Sequence, residues 1–129
     1  MKNLLLIFTL LFTSVFFSSP SYAEWTKVEE SVNGNTFYVD FERIRKVDGY
    51  VYYWVLQDYL KPTKQGDLSG KSYYQGDCKL FRYKNLSYSF HKEPMGGGTG
   101  DVDNVPDKDW KYPAPNTVNE VILKSVCSR

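Results

Sequence analysis

One histidine and two nearby serines are the residues whose types and spacing come closest to a catalytic set. His91 follows Ser89 by two positions and Ser87 by four, and side chains two apart project from the same face of a strand. A hydroxyl beside an imidazole is the pair that nucleophilic catalysis uses, but a triad also needs a carboxylate that orients the imidazole. The pattern indicates no such carboxylate, and we expect His91 to lie exposed at a strand end. The sequence therefore predicts no catalytic site and no enzymatic activity.

A glycine-rich segment and the acidic segment after it are the candidates for phosphate or metal binding. Residues 96–100 read Gly-Gly-Gly-Thr-Gly but lack the spacing and the lysine of a phosphate-binding loop. Four aspartates follow over residues 101–109, but the sixth and twelfth positions, which a calcium loop gives to Gly and Glu, hold Pro106 and Tyr112. One His and two Cys cannot supply the four ligands of a Cys/His zinc site. We expect a mobile loop and a solvated acidic segment, with weak calcium binding as the alternative, and no metal or cofactor.

The first 23 residues are typical of a secretory signal peptide. Lys2 supplies a positive charge, residues 4–17 are almost unbroken apolar sequence, and Ser21 and Ala23 place small residues at −3 and −1 of a cleavage site. This apolar run is shorter than the roughly 20 residues that cross a bilayer, and no cysteine near the cleavage site could accept a lipid. We therefore expect residues 1–23 to be removed. Residues 24–129 would form one exported domain, periplasmic or secreted, without a lipid anchor or membrane span.

Export determines how we interpret Cys78 and Cys127, the two cysteines of the chain. An oxidising compartment favours their pairing. Closing a loop of this length predicts roughly 4 kcal/mol of stabilisation from the lost entropy of the unfolded chain. The alternative is a free reactive thiol, which would need a base beside it.

Most of the exported chain is predicted to form β-strands. Alternating residues over Trp25–Glu30 and Thr36–Val39 flank Asn33-Gly34, which is a strong hairpin signal because both residues tolerate positive φ. The aromatic and β-branched run over Tyr50–Tyr59 predicts a long central strand. The remaining predictions are strands over residues 71–78, 80–91 and 99–103, one helical turn over residues 41–45, and a surface segment over residues 105–115 that Trp110 anchors.

The chain ends in a predicted helix. Thr117 and Glu120 have the spacing of a capping box, and the apolar residues of 118–126 fall mainly on one stripe. Leu123 and Cys127 lie off that stripe, so either the helix buries a wide face or its last turn unwinds before Cys127. The predicted fold class is α+β: an antiparallel sheet of about six strands with the C-terminal helix packed on one face and tethered by the disulfide.

The charge balance excludes a nucleic-acid-binding domain. The chain has 16 Lys+Arg against 15 Asp+Glu, and loss of Lys2 with the signal peptide leaves the exported part neutral. Nucleic-acid-binding domains carry a basic excess.

The chain also contains 11 tyrosines, most of them in or beside predicted strands. Surface tyrosine supplies rigid contact area at protein interfaces, although tyrosine also suits a half-buried sheet.

Several short motifs occur in a defined order along nearly the whole exported chain. They are Trp25, Phe37-Tyr38-Val39-Asp40 followed by Ile44, Tyr53-Trp54-Val55-Leu56-Gln57-Asp58-Tyr59, Ser72-Tyr73-Tyr74, Asp77-Cys78-Lys79, Arg82-Tyr83-Lys84, Met95-Gly96, Trp110, Pro115 and Cys127. The order of these motifs resembles the bacterial surface-adhesin protein E family. The resemblance implies a small sheet with a disulfide-tethered C-terminal helix, and a role in adhesion. The family's namesake is an outer-membrane lipoprotein that binds host proteins such as vitronectin, laminin and plasminogen. This sequence lacks the lipidation cysteine, so a soluble periplasmic or released protein is expected.

The sequence thus predicts an exported, non-enzymatic protein-binding module, whose partners by resemblance are extracellular-matrix or plasma proteins. The alternative is a soluble periplasmic ligand-binding or envelope-maintenance protein that uses the cleft between helix and sheet. An open sheet also has two edges through which two copies could pair as a homodimer. The candidate binding surface combines tyrosines and cations of the two middle strands: Lys71, Tyr73, Lys79, Arg82, Tyr83 and Lys84.

Overall fold

Seven antiparallel strands form one sheet in the computed structural model, which describes residues 23–129. One α-helix, at the C-terminal end of this part of the chain, packs on the sheet. The predicted signal peptide lies outside the described residues except for Ala23, so its removal stays a prediction. The strands are β1 (Thr26–Glu30), β2 (Thr36–Val39), β3 (Arg45–Val47), β4 (Tyr50–Asp58), β5 (Ser69–Asp77), β6 (Arg82–His91) and β7 (Gly100–Asp103), and the helix is α1 (Val118–Cys127).

The strands are ordered β1-β2-β4-β5-β6-β7, and β3 pairs with β4. β2 and β3 therefore occupy successive lengths of the same edge of β4. A 3-10 turn over Phe41–Arg43 joins them where the sequence predicted a helical turn, and β3 was not predicted. Its three residues are exposed and two of them are charged, so its extended form depends on pairing with β4 through the tight Asp48-Gly49 turn rather than on strand propensity.

β4 and β5 pair along their whole lengths, from Tyr50 opposite Asp77 to Asp58 opposite Ser69. Side chains alternate along each strand, so the odd-numbered residues of β4 point to one face of the sheet and the even-numbered residues to the other. β6 continues the pairing with a bulge opposite Tyr73 and Tyr74. This register sends two different sets of β4 side chains to the two faces: Val51, Tyr53 and Val55 to the first, and Tyr50, Tyr52 and Trp54 to the second.

Helix α1 covers the first of these faces and forms the core with it. Ile122, Leu123 and Val126 are buried against Val51, Tyr53 and Val55. Leu123 is 0% exposed, and the helix stays regular through Cys127, the residue before the C-cap. The first of the two alternatives is therefore correct: the helix buries a wide face.

A glycine permits this close approach. A Cβ on Gly76 of β5 would lie 2.8 Å from Val51 Cγ1 and 3.1 Å from Leu123 Cδ1, which is closer than packed carbon atoms approach each other. The N-terminal end of the helix is capped as predicted by the Thr117 hydroxyl, which accepts a hydrogen bond from the Glu120 N–H. The Glu120 carboxylate accepts from the N–H of Asn116, one residue before the position that a capping box uses.

The disulfide predicted from the sequence joins Cys78 to Cys127 across 49 positions. Cys78 follows the last residue of β5, and Cys127 is the last residue of α1. The bridge therefore holds the C-terminal end of the helix to the turn between β5 and β6. This confirms the α+β class and the tethered helix.

Cys127→Ser is expected to lower the free energy of unfolding by roughly 2–5 kcal/mol, because the unfolded chain regains the entropy of an open 49-residue loop. For a domain of this size such a change lowers Tm by about 10 °C or more. Calorimetry measures the Tm of the variant. The double variant Cys78→Ser/Cys127→Ser is the matched control, since its Tm should equal that of the single variant. Equal melting of oxidised and reduced wild-type protein would contradict a tethering role.

Candidate functional site

The sheet face opposite α1 carries a row of half-buried aromatic side chains. Trp54 and Tyr73 have ring centroids 4.7 Å apart, and the centroids of Tyr52 and Tyr73 are 6.2 Å apart. Tyr50 stacks at 5.7 Å on Trp110, which comes from the segment between β7 and α1. Offset and tilted ring pairs at these distances are mutually attractive. We call this surface the aromatic face, and it consists of Tyr50, Tyr52, Trp54, Tyr73 and Trp110.

Two cations of β6 lie against the aromatic face at its Trp110 end. The Arg82 guanidinium carbon is 4.4 Å from the Trp110 ring centroid, and Lys84 Nζ is 4.8 Å from it. A cation over an indole is attracted by the negative face of the ring. Trp110 therefore lies among Tyr50 and two positive charges, contacts that the sequence did not predict.

Asp77 holds Arg82 in that place. Its carboxylate accepts hydrogen bonds from Arg82 Nε at 2.9 Å and from the N–H groups of Lys79 and Leu80 at 3.1 and 3.2 Å. Burial acts to raise the pKa of Asp77, but the hydrogen bonds from Leu80 and Arg82 and the positive charge of Arg82 outweigh it and keep the pKa below its usual value. One carboxylate thus shapes the β5–β6 turn and orients a cation of the aromatic face.

Four of the six residues of the sequence-predicted surface share this face of the sheet. Lys71 and Tyr73 alternate along β5, and Arg82 and Lys84 alternate along β6. Lys71 pairs with Leu56 and Tyr73 with Trp54, so both point to the side away from the helix. These four residues are half-buried and neighbour the aromatic rings.

Tyr83 and Lys79 lie elsewhere. Tyr83 pairs with Gly76 and faces the helix, where its ring meets Tyr74 edge-on at 5.8 Å and its hydroxyl accepts a hydrogen bond from Asn119. Burial and the neighbouring Tyr74 raise the pKa of Tyr83. Lys79 is exposed in the turn after β5, beyond the end of the strand. Whether either residue contacts a partner stays a prediction.

The residues that the sequence-based surface missed are Tyr50, Tyr52 and Trp54 of β4, and Trp110. Strict alternation in β4 could have identified the first three, because they occupy the even positions of a strand whose odd positions are apolar core. No local pattern could have placed Trp110, because it reaches the face from a segment without regular structure. That segment bonds to the edge of β6 through paired backbone hydrogen bonds between Tyr83 and Lys111.

His91 is 4% exposed, so the expectation of an exposed strand-end histidine was wrong. Gly100 of β7 lies opposite it, and a Cβ there would be 2.5 Å from the His91 ring; the missing side chain leaves room for the imidazole. Nε2 lies 2.7 Å from Ser89 Oγ, the hydroxyl contact that the spacing suggested. Nδ1 has no hydrogen-bond partner among residues 23–129, so no carboxylate of this part of the chain orients the ring.

The acidic segment is fastened to the sheet rather than wholly solvated. Asp103 accepts a hydrogen bond from the Tyr88 hydroxyl at 2.9 Å, and this bond raises the pKa of Tyr88. Asp107 accepts from the Asn85 N–H at 3.0 Å and pairs with Lys111 at 3.2 Å. Within residues 23–129 no three His, Cys, Asp or Glu side chains are grouped as a metal site requires.

Comparison with known proteins shows which family this architecture represents. A family model described as surface-adhesin protein E matches residues 25–128. The chain belongs to this family. Among curated proteins, none matches the sequence significantly. In the described part of the chain, no helix has the length and apolar character that crossing a membrane would require.

The fold is similar to that of protein E from Haemophilus influenzae in several solved structures. Its crystal form II aligns with a TM-score of 0.64 at 17% identity, over 89% of this chain and 97% of the other. A structure of protein E from non-typeable Haemophilus influenzae aligns with a TM-score of 0.59 at 15% identity, over 85% and 79%. At these identities the likeness concerns the fold.

Asp77→Asn is expected to lower the Tm at pH 7 by a few degrees, because the carboxylate that accepts from Arg82 loses its charge. A depressed native-state pKa stabilises the protein above the unfolded-state pKa of about 3.9, and this contribution is lost as the pH falls through the lower, native-state value. The stability difference from wild type should therefore shrink below about pH 4. Urea unfolding of both proteins at pH 7 and pH 2.5 measures the difference in their free energies of unfolding. A difference that is the same at both pH values would contradict the role assigned to Asp77.

Proposed function

We propose that residues 24–129 form an exported, non-enzymatic module that binds another protein through the aromatic face. The observation that carries this proposal is the half-buried row from Trp54 to Trp110 on the side that α1 leaves uncovered. Aromatic residues and arginine are the types enriched at protein interfaces, and clustered rings exclude water around the contacts that dominate affinity. Membership of the surface-adhesin protein E family supports a binding role over a catalytic one.

Local charge defines the kind of partner. Lys71 and Lys84 lie on this face and form no ion pair within the described residues, whereas the nearby Asp77 is neutralised by Arg82. The aromatic face is therefore locally positive on a domain whose total charge is zero after loss of the signal peptide. Acidic segments of extracellular-matrix or plasma proteins, the partners that the family resemblance implies, would complement it. Such contacts steer association and weaken with salt.

Export is part of the same proposal. Removal of residues 1–23 would deliver the domain to an oxidising compartment, which suits the Cys78–Cys127 bridge. Without a cysteine to accept a lipid, we propose a soluble protein that is periplasmic or secreted.

The second candidate is a periplasmic ligand-binding or envelope-maintenance protein that uses the boundary of helix and sheet. A groove of about 570 Å³ beside the N-terminal end of α1 favours it, with Glu29, Val32 and Val118 among its walls. The interface beneath the helix is filled by Leu123 and Val126, so a ligand would bind along this groove rather than under the helix. Protease treatment of intact cells tests this second candidate: a protein confined to the periplasm would survive it, and digestion would contradict the candidate.

The binding proposal is tested with purified residues 24–129 on immobilised vitronectin across a range of salt concentrations. Tyr52→Ala is expected to weaken binding about tenfold, because a central ring that loses its contacts costs more than 1 kcal/mol. Lys84→Gln should slow association and reduce its salt dependence. Lys124→Gln on the exposed side of α1 is the matched control and should change neither.

Binding no stronger than that of an unrelated neutral domain would contradict the adhesin role. Equal effects of Lys84→Gln and Lys124→Gln would contradict the assignment to the aromatic face.

A further inference from the structure

A cavity of about 310 Å³ opens at the Trp54 end of the aromatic face, away from Trp110. It lies where the residues before β1 meet β4, β5, β6 and β7. Its volume is at the lower end of the roughly 300–1,000 Å³ that small-molecule sites occupy. Two indoles and several polar side chains form its walls: Trp25, Trp54, Asp40, Arg43, Lys71, Ser87 and Asn104.

The carboxylate of Asp40 is the unusual group in this cavity. The residue is 1% exposed, and neither of its carboxylate oxygens accepts a hydrogen bond from residues 23–129. It occupies the N-cap position of the 3-10 turn over Phe41–Arg43 but does not cap it. Arg43 Nε lies 3.3 Å from Oδ2 and forms an ion pair without hydrogen-bond alignment. Buried acceptors are almost always satisfied because leaving them unpaired is costly, so this carboxylate indicates a donor from outside the described residues.

Three other polar side chains in the walls have unused hydrogen-bonding capacity, whereas Tyr88 and Ser89 are bonded to Asp103 and His91. The side chains of Lys71, Ser87 and Asn104 form no hydrogen bond or ion pair within the described part of the chain. Lysine can only donate, a carboxylate can only accept, and hydroxyl and amide groups do both. The cavity therefore presents an acceptor, a cationic donor and two groups of either kind beside two apolar indole rings.

This set of groups selects the chemistry of the ligand. A simple organic cation would be attracted by Asp40 but repelled by Lys71 and Arg43. A simple anion would be attracted by Lys71 and Arg43 but repelled by Asp40. A sugar ring has hydroxyls that donate to Asp40 and oxygens that accept from Lys71. Its C–H-rich face is apolar and is attracted to the negative face of an indole. We propose that this cavity binds a saccharide ring between Trp25 and Trp54, with Asp40 accepting from its hydroxyls.

Charge further defines the saccharide. Arg43 offsets the charge of Asp40, and Lys71 then leaves one positive charge in the walls. A sugar that carries a carboxylate is therefore bound more tightly than a neutral one, and Lys71 supplies the preference. The site shares Trp54 and Lys71 with the aromatic face, but it goes beyond the protein-binding role because Asp40 and Trp25, which would contact the sugar, lie outside that face.

The test titrates residues 24–129 with N-acetylneuraminic acid, glucuronic acid and glucose, followed by tryptophan fluorescence. Two of the three tryptophans line the cavity, so a ring stacked there alters their emission. We expect saturable binding with tighter Kd values for the two acidic sugars. Asp40→Asn and Trp54→Ala should each weaken binding about tenfold or more, and Lys71→Gln should remove the preference for acidic sugars.

Trp110→Ala is the matched control, since it removes an indole from the same face outside the cavity and should leave sugar binding unchanged. If Asp40→Asn fails to fold, which circular dichroism reports, Trp25→Ala and Lys71→Gln still test the site. The proposal is overturned if none of the three sugars binds saturably, or if Trp110→Ala weakens binding as much as Trp54→Ala. It is equally overturned if choline binds in an Asp40-dependent way and the sugars do not.

One further outcome would show that the hydrogen-bond donor to Asp40 belongs to the exported chain itself. If wild-type protein binds no sugar while Asp40→Asn lowers its Tm, the carboxylate is already paired inside the exported chain, for example by its α-ammonium group. That result overturns the saccharide site and leaves protein binding by the aromatic face untouched.

Discussion

The contact of one helix with one face of the sheet is the constraint on which the rest of the structure depends. Leu123 packs against β5 at Gly76, where a Cβ would not fit beside it. The disulfide holds the helix end in the same place. Because residues 23–129 supply one α-helix for a two-faced sheet, the second face must be stable without a helix covering it.

The second face solves this problem with aromatic rings that pack on one another. Tyr52, Trp54 and Tyr73 cover part of each other's surface, and Trp110 covers Tyr50 from outside the sheet. The rings are half-buried rather than buried, so they stabilise the strands and keep contact area available to a partner. Asp77 links this face to the disulfide, because it orients Arg82 and is followed directly by Cys78, which is bonded to Cys127. Stability and the proposed binding role therefore draw on the same side chains.

Much of the fold could be predicted from the sequence, because local patterns and tertiary packing agree over most of the chain. β4 is rich in aromatic and β-branched residues, Gly34 adopts the positive φ of the turn between β1 and β2, and Thr117 caps the helix as expected. β3 was missed because three exposed residues form a strand only by pairing with β4. His91 was misplaced because its burial depends on Gly100, which is distant from the histidine's own strand pattern.

The candidate site was predicted only in part for a related reason. Lys71, Tyr73, Arg82 and Lys84 were chosen by residue type within one stretch of sequence, and alternation then sent Tyr83 to the opposite face. Asp40 appeared in the sequence as a family motif residue, but nothing local indicated a buried carboxylate in a cavity. Its surroundings come from four strands and from the residues before β1, so only the folded chain brings them together.

The most direct test of the central claim is hydroxyl-radical footprinting of residues 24–129, free and bound to vitronectin. This method reports the solvent exposure of individual tyrosine and tryptophan side chains. If the aromatic face is the binding surface, Tyr52, Tyr73 and Trp110 become protected in the complex. Tyr83, on the helix side, keeps its reactivity. Protection of Tyr83 and the α1 surface, with the aromatic face still reactive, would contradict the assignment of function to the uncovered side of the sheet.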